Sequence, residues 1–113
     1  MVAYENNVYY NPEALGLEMV GDVEWVGASY EFDMTGVWKE KRGVYWIGDD
    51  SGCSCPCPFE DTTKDDLAGP YNKAQLKERL ENLVDERAGD GGYYSRSRAD
   101  LMKDVREILS RLT

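Results

Sequence analysis

The chain has 113 residues, 22 of them acidic and 13 basic, giving a formal net charge of -9 with no histidine at all. That length suits one domain, and 42% hydrophobic with 12% aromatic residues is enough for one small core, which excludes a fully disordered chain. The missing imidazole removes the usual general base, the usual partner of a Ser or Cys nucleophile and half of the common zinc ligand set, so the chain reads as a non-enzyme; its acidity argues against direct nucleic-acid binding.

In chain order, a first strand is expected around Val2 to Tyr10, ended by Asn11-Pro12. Its start has no basic residues followed by an apolar run, and no stretch approaches bilayer length, so neither a secretory leader nor a membrane span is expected and the setting reads as cytosolic. Leu17, Met19, Val23 and Trp25 alternate with Glu18, Asp22 and Glu24, predicting a strand over 16 to 26 with one set inward and the other outward. Tyr30, Phe32, Met34 and Trp38 alternate with Glu31, Asp33 and Lys39 in the same way. A two-residue Gly27-Ala28 hairpin would pair Trp25 with Tyr30 and Val23 with Phe32 on the buried face. Lys41-Arg42-Gly43 fits a three-residue loop with Gly in the left-handed position, which sets Trp38 opposite Trp46 with Val44 on the same face.

The helical part begins after Gly69-Pro70, where Asn72 and Gln75 form a capping box. Leu76, Leu80, Leu83 and Val84 make an apolar stripe that stops near Ala88-Gly89. Ser97 with Asp100 caps a second helix, and Leu101, Met102, Val105, Ile108, Leu109 and Leu112 recur at helical spacing. The expected fold class is therefore α+β: a three- to four-stranded antiparallel meander within residues 1–60, packed against a two-helix hairpin over 71–112, in one domain spanning 1–113.

Charge is uneven along this plan. Residues 1–38 hold seven acids, Glu5, Glu13, Glu18, Asp22, Glu24, Glu31 and Asp33, and no Lys or Arg, whereas residues 58–113 hold twelve acids and ten bases. The expected hairpin register puts Glu24 opposite Glu31 and Asp22 opposite Asp33 on the outward face, where like charges repel. Either Lys39, Lys41 or a helix base neutralises them, or the face meets a protein with a basic surface, with Tyr9 and Tyr10 as aromatic anchors if they face outward. A divalent cation on Asp22, Asp33 and Asp49 or Asp50 is a third reading, although the spacing matches no EF-hand loop.

Cys53, Cys55 and Cys57 lie too close together to staple distant parts of the fold, which fits a reducing compartment. They either pack a rigid Pro-bearing loop, act as a thiol pair through Cys55 and Cys57, or hold zinc with a carboxylate such as Asp50 or Asp61 completing the shell. The alternative function is accordingly a small zinc- or thiol-dependent domain organised by this loop.

Tyr9-Tyr10-Asn11-Pro12-Glu13, Tyr30-Glu31-Phe32-Asp33-Met34-Thr35 and, above all, Asp50-Ser51-Gly52-Cys53-Ser54-Cys55-Pro56 with Pro58-Phe59-Glu60-Asp61 resemble a family of small proteins of actinobacteria-infecting bacteriophages, a domain of unknown function. The resemblance covers the first half and implies a viral origin and a host-cytoplasm setting without supplying an activity. It also implies that a small non-Cys residue is tolerated at the position of Cys57, which leaves Cys53 and Cys55 with whatever role the loop has. Together these readings predict a non-enzymatic acidic accessory protein of a phage that binds, and by binding inhibits, a host or phage protein.

Overall fold

The structure, a computed structural model, describes residues 7–25, 31–53, 59, 62–87 and 96–112, without the side chains of 31, 32 and 53. Four antiparallel strands lie in the order of the chain: β1 (Leu17–Glu24), β2 (Glu31–Glu40), β3 (Tyr45–Cys53) and β4 (Ala68–Tyr71), followed by α1 (Lys73–Arg87) and α2 (Arg98–Ser110). This is the expected meander with two C-terminal helices.

The β2–β3 hairpin forms as its turn residues dictate. Gly43 has φ 88°, Gly43 N–H donates to Glu40 O at 2.9 Å and Glu40 N–H to Val44 O at 2.8 Å, so Trp38 falls opposite Trp46. Both helix caps also form: Gln75 N–H donates to Asn72 Oδ1 at 2.8 Å while Gln75 Oε1 accepts from Asn72 N–H at 2.9 Å, and Ser97 Oγ accepts from Asp100 N–H at 3.2 Å.

Two expectations give way. Of the first strand expected over Val2 to Tyr10, residues 2–6 lie outside the described residues. Among residues 7–10 there is a single bridge, Asn7 to Thr63, and a tight turn in which Asn7 Oδ1 accepts from the amides of Tyr9 and Tyr10, each at 2.8 Å. The fourth strand is β4, whose Gly69-Pro70 reads as a loop in sequence; an edge strand tolerates proline because its outer N–H needs no partner. The β1–β2 register is also displaced. Asp22 faces Gly36, Val23 faces Thr35 and Glu24 faces Met34, and the register shifts between Met19 and Gly21. Val20 is the extra residue of a bulge, and the expected Gly27-Ala28 turn lies outside the described residues.

The bulge changes which way β1 faces. Leu17 and Met19 join Met34, Trp38, Val8, Phe59 and Leu67 on one side of the sheet, whereas Val23 and Trp25 join Val37, Tyr45, Ile47 and the helices on the other. The sheet is thus covered on both faces. The two helical stripes do as expected: Leu76, Leu80, Leu83, Val84, Leu101, Val105, Ile108 and Leu112 are all buried on the helical side. Burying each such side chain contributes roughly 1.5–3 kcal/mol, so this layer dominates the fold's stability.

Candidate functional site

The acids expected on one outward plane are divided. Because Asp22 and Glu24 follow the bulge, they share a side with their cross-strand partners Gly36 and Met34, the side away from the helices. Asp33 has the opposite parity and lies on the helical side, where its carboxylate pairs with the Arg87 guanidinium from the end of α1. Arg87 also stacks on Trp25, 4.5 Å from the ring centroid. The expected pairing of Asp22 with Asp33 and Glu24 with Glu31 is therefore wrong: in the observed β1–β2 register Asp22 faces Gly36 and Glu24 faces Met34. The one-residue bulge reverses the face of everything after it, which puts Asp22 and Glu24 on the side opposite Asp33; the turn that would set the rest of the register lies outside the described residues. The cation reading falls with it, because Asp22 and Asp33 lie on opposite sides. Among the described residues no group of three or more Cys, Asp or Glu is placed to hold a metal ion.

Four of the six expected partner-binding residues do come together. Tyr9 stacks on Phe59 with centroids 5.4 Å apart and meets Tyr10 edge-on at 5.1 Å. Asn7 holds this segment in place, donating to Phe59 O at 2.6 Å besides accepting the two tyrosine amides. Partial burial raises the Tyr9 pKa, and the carboxylates of Asp22 and Glu24 raise it further, which puts both acids within electrostatic reach of its hydroxyl. The Asp22 pKa is raised as well, first by burial and then by Glu24 and Asp104, against the opposing effect of Arg111. Tyr10 is 41% exposed, the large hydrophobic side chain left open to solvent among those described. The result is a small patch of two tyrosines and two carboxylates beside β1.

Behind the patch, the free edge of β1 is occupied by α2 and the residues leading into it. Arg111 Nη1 donates to Val20 O at 2.8 Å and Arg96 Nη1 to Glu24 O at 2.8 Å; the Arg96 amide reaches Trp25 O at 3.4 Å, and Glu24 N–H reaches Asp104 Oδ2 at 3.4 Å. Arg96 is held by an ion pair with Asp104, which raises the arginine's pKa. Nothing in the local pattern of either segment signals these contacts, which span 72 and 91 residues of chain.

In the cysteine region, Cys55 and Cys57 lie outside the described residues and Cys53 is described as the last residue of β3. Asp50, the expected fourth ligand, accepts the Phe59 amide at 2.7 Å. Phe59 is fully buried with φ 59°, a left-handed conformation held by Asp50 on its N–H and by Asn7 and Thr62 on its carbonyl. An open groove of about 620 Å³ near the β1–β2 end is lined by Glu13, Glu18, Lys39, Glu40 and Lys41, none of them an expected site residue. There Glu40 already serves Arg42, Lys64 and Trp46; their hydrogen bonds outweigh desolvation and hold its carboxyl below the ordinary value. No helix among the described residues is long and apolar enough to cross a membrane.

A family model described as a domain of unknown function (DUF7574) matches residues 6–112. The chain belongs to this family. The match takes in both the sheet with its cysteine segment and the two helices, so the helical half is part of the family's domain as well. Neither a curated protein nor a solved structure matches the chain.

Proposed function

We propose that the chain is a non-enzymatic interaction protein that engages a basic surface on another protein through Tyr9, Tyr10, Asp22 and Glu24. The observation that carries this reading is the exposed Tyr10 ring seated on Tyr9 beside two carboxylates that raise the tyrosine's pKa. Aromatic side chains of this kind dominate the energetics of protein interfaces, and neighbouring acids select a cationic partner and speed its approach. Glu31 and Asp33 are left out of the surface, Asp33 because Arg87 already neutralises it. In the same proposal the protein is an accessory factor of a phage acting in the cytoplasm of its host, where the target is a host or phage protein whose activity it blocks.

The test is quantitative capture of partners from an actinobacterial host lysate, at low and raised salt, by the parent chain and by Tyr10→Ala and Asp22→Asn/Glu24→Gln variants. A specific partner retained at low salt, weakened by salt and lost with either variant is expected. If nothing retained responds to salt or to the variants, this surface is not the interface.

A further inference from the structure

Each partner that α2 gives to the β1 edge replaces something a neighbouring strand would have provided. The β1–β2 register turns the backbone of Asp22 and Glu24 away from β2, so their N–H and C=O groups point out of the sheet. On that side Glu24 O accepts from Arg96 and Glu24 N–H reaches Asp104, while at the bulge Val20 O accepts from Arg111. Exposed edges of this kind are the usual place where an extended segment of another chain adds to a sheet. A strand added here would also be well placed for the patch described above. Its alternate side chains would lie next to Asp22 and Glu24, at the roughly 4.5–5.5 Å spacing of cross-strand neighbours, and close to Tyr9 and Tyr10.

We propose that the β1 edge is a strand-addition site for an extended partner segment with Arg or Lys at every second residue, and that Arg96 and Arg111 hold it closed by occupying its carbonyls. The inference rests on the interaction reading above and adds how the partner binds and what restrains it. The kind of occupant is argued from the edge's own chemistry: guanidinium groups already sit on it, and its side chains Asp22 and Glu24, on one face, are acidic with no base among residues 17–24. A second copy of β1 fits poorly, since an antiparallel pairing centred on Val23 sets Asp22 against Glu24. Opening requires that the Arg96 and Arg111 side chains swing aside and that the long contacts of Asp104 to Glu24 N–H and of the Arg96 amide to Trp25 O, each 3.4 Å, give way. The helix itself stays, because Leu101, Val105, Ile108 and Leu112 remain buried in the core.

The probe is an acetylated, amidated peptide alternating Arg and Val over eight residues, with a control peptide of the same composition in two blocks. Affinity is read by fluorescence anisotropy and location by amide hydrogen exchange. The alternating peptide is expected to bind and to slow exchange of the Asp22 and Glu24 amides, the block peptide to bind at least about tenfold more weakly. Arg96→Met/Arg111→Met, which keeps the aliphatic stems, is expected to tighten the alternating peptide about tenfold, the equivalent of one or two carbonyl partners released. Lys103→Met/Arg106→Met removes the same charge from exposed positions of α2 and serves as the electrostatic control. Equal tightening by the two double variants, or binding without protection in β1, overturns the edge proposal. In the second case, sensitivity to Tyr10→Ala and Asp22→Asn/Glu24→Gln would leave the surface reading standing; loss of binding by both peptides at every salt concentration would remove both. Far-UV circular dichroism of each variant confirms the fold before its affinity is interpreted.

Discussion

Thr35 sits at the centre of β2, fully buried, with its hydroxyl accepting the Trp25 indole N–H at 2.9 Å and donating to the Asp49 carboxylate across the strand pair. Thr35→Val keeps the shape and removes both bonds. The indole N–H is then left in a site that is itself 5% exposed, at a cost of about 1–3 kcal/mol for an unpaired buried donor. Asp49 is exposed and recovers its lost bond from water, so it adds little. The extra methyl returns a fraction of a kcal/mol of apolar burial, leaving a net loss of about 1–2 kcal/mol. For a domain of this size that corresponds to a drop in Tm of roughly 4–10 °C. Thermal and urea unfolding of the parent, Thr35→Val, Trp25→Phe and the double variant form a cycle. A coupling of about 1 kcal/mol is expected, because once the indole is gone Thr35→Val no longer orphans a donor. If Thr35→Val is neutral, or if the two changes are additive, the Trp25–Thr35 bond does not contribute to holding the β1 end against β2.

Asp22→Asn should stabilise the protein near neutral pH. The folded state raises this carboxyl's pKa, so its ionised form opposes folding above that pKa, and the penalty disappears below the unfolded value, near 3.8. The gain in Tm should therefore shrink towards zero as the pH falls to about 3.5; a constant gain, or a loss, at all pH values contradicts the burial and repulsion assigned to Asp22. Zinc content and melting with and without chelator address the cysteine loop. With Asp50 committed to the Phe59 amide, melting is expected to be unchanged by chelator, and one tightly bound zinc per chain whose removal lowers Tm would restore the zinc-organised alternative.

What was legible in the sequence was local. Asn72 with Gln75, Ser97 with Asp100 and Lys41-Arg42-Gly43 announce their caps and turn because each signal and the bond it makes lie within a few residues. The apolar stripes of α1 and α2 are legible for the same reason. The face assignment of β1 was not: Leu17, Met19, Val23 and Trp25 all share odd parity, which an unbroken strand would put on one side. Gly21, a glycine inside an alternating run, was the available hint of a bulge. The second apolar layer, built from Val8, Phe59 and Leu67, is assembled from segments that carry no regular period, so pattern reading could not locate it. Of the candidate site, Asp22 and Glu24 act on Tyr9 across the fold, and the pairing of Asp33 with Arg87 joins residues 54 positions apart; neither has a local signature.

The bulge at Val20 makes one strand serve two masters: its first half anchors the segment that displays Tyr10, and its second half anchors the helices. Loss of a single residue between Met19 and Asp22 would force the two halves into common phase, driving either carboxylates beneath the helices or valine and tryptophan out towards the tyrosines. Length variation in this short stretch should consequently be far less tolerated than substitution.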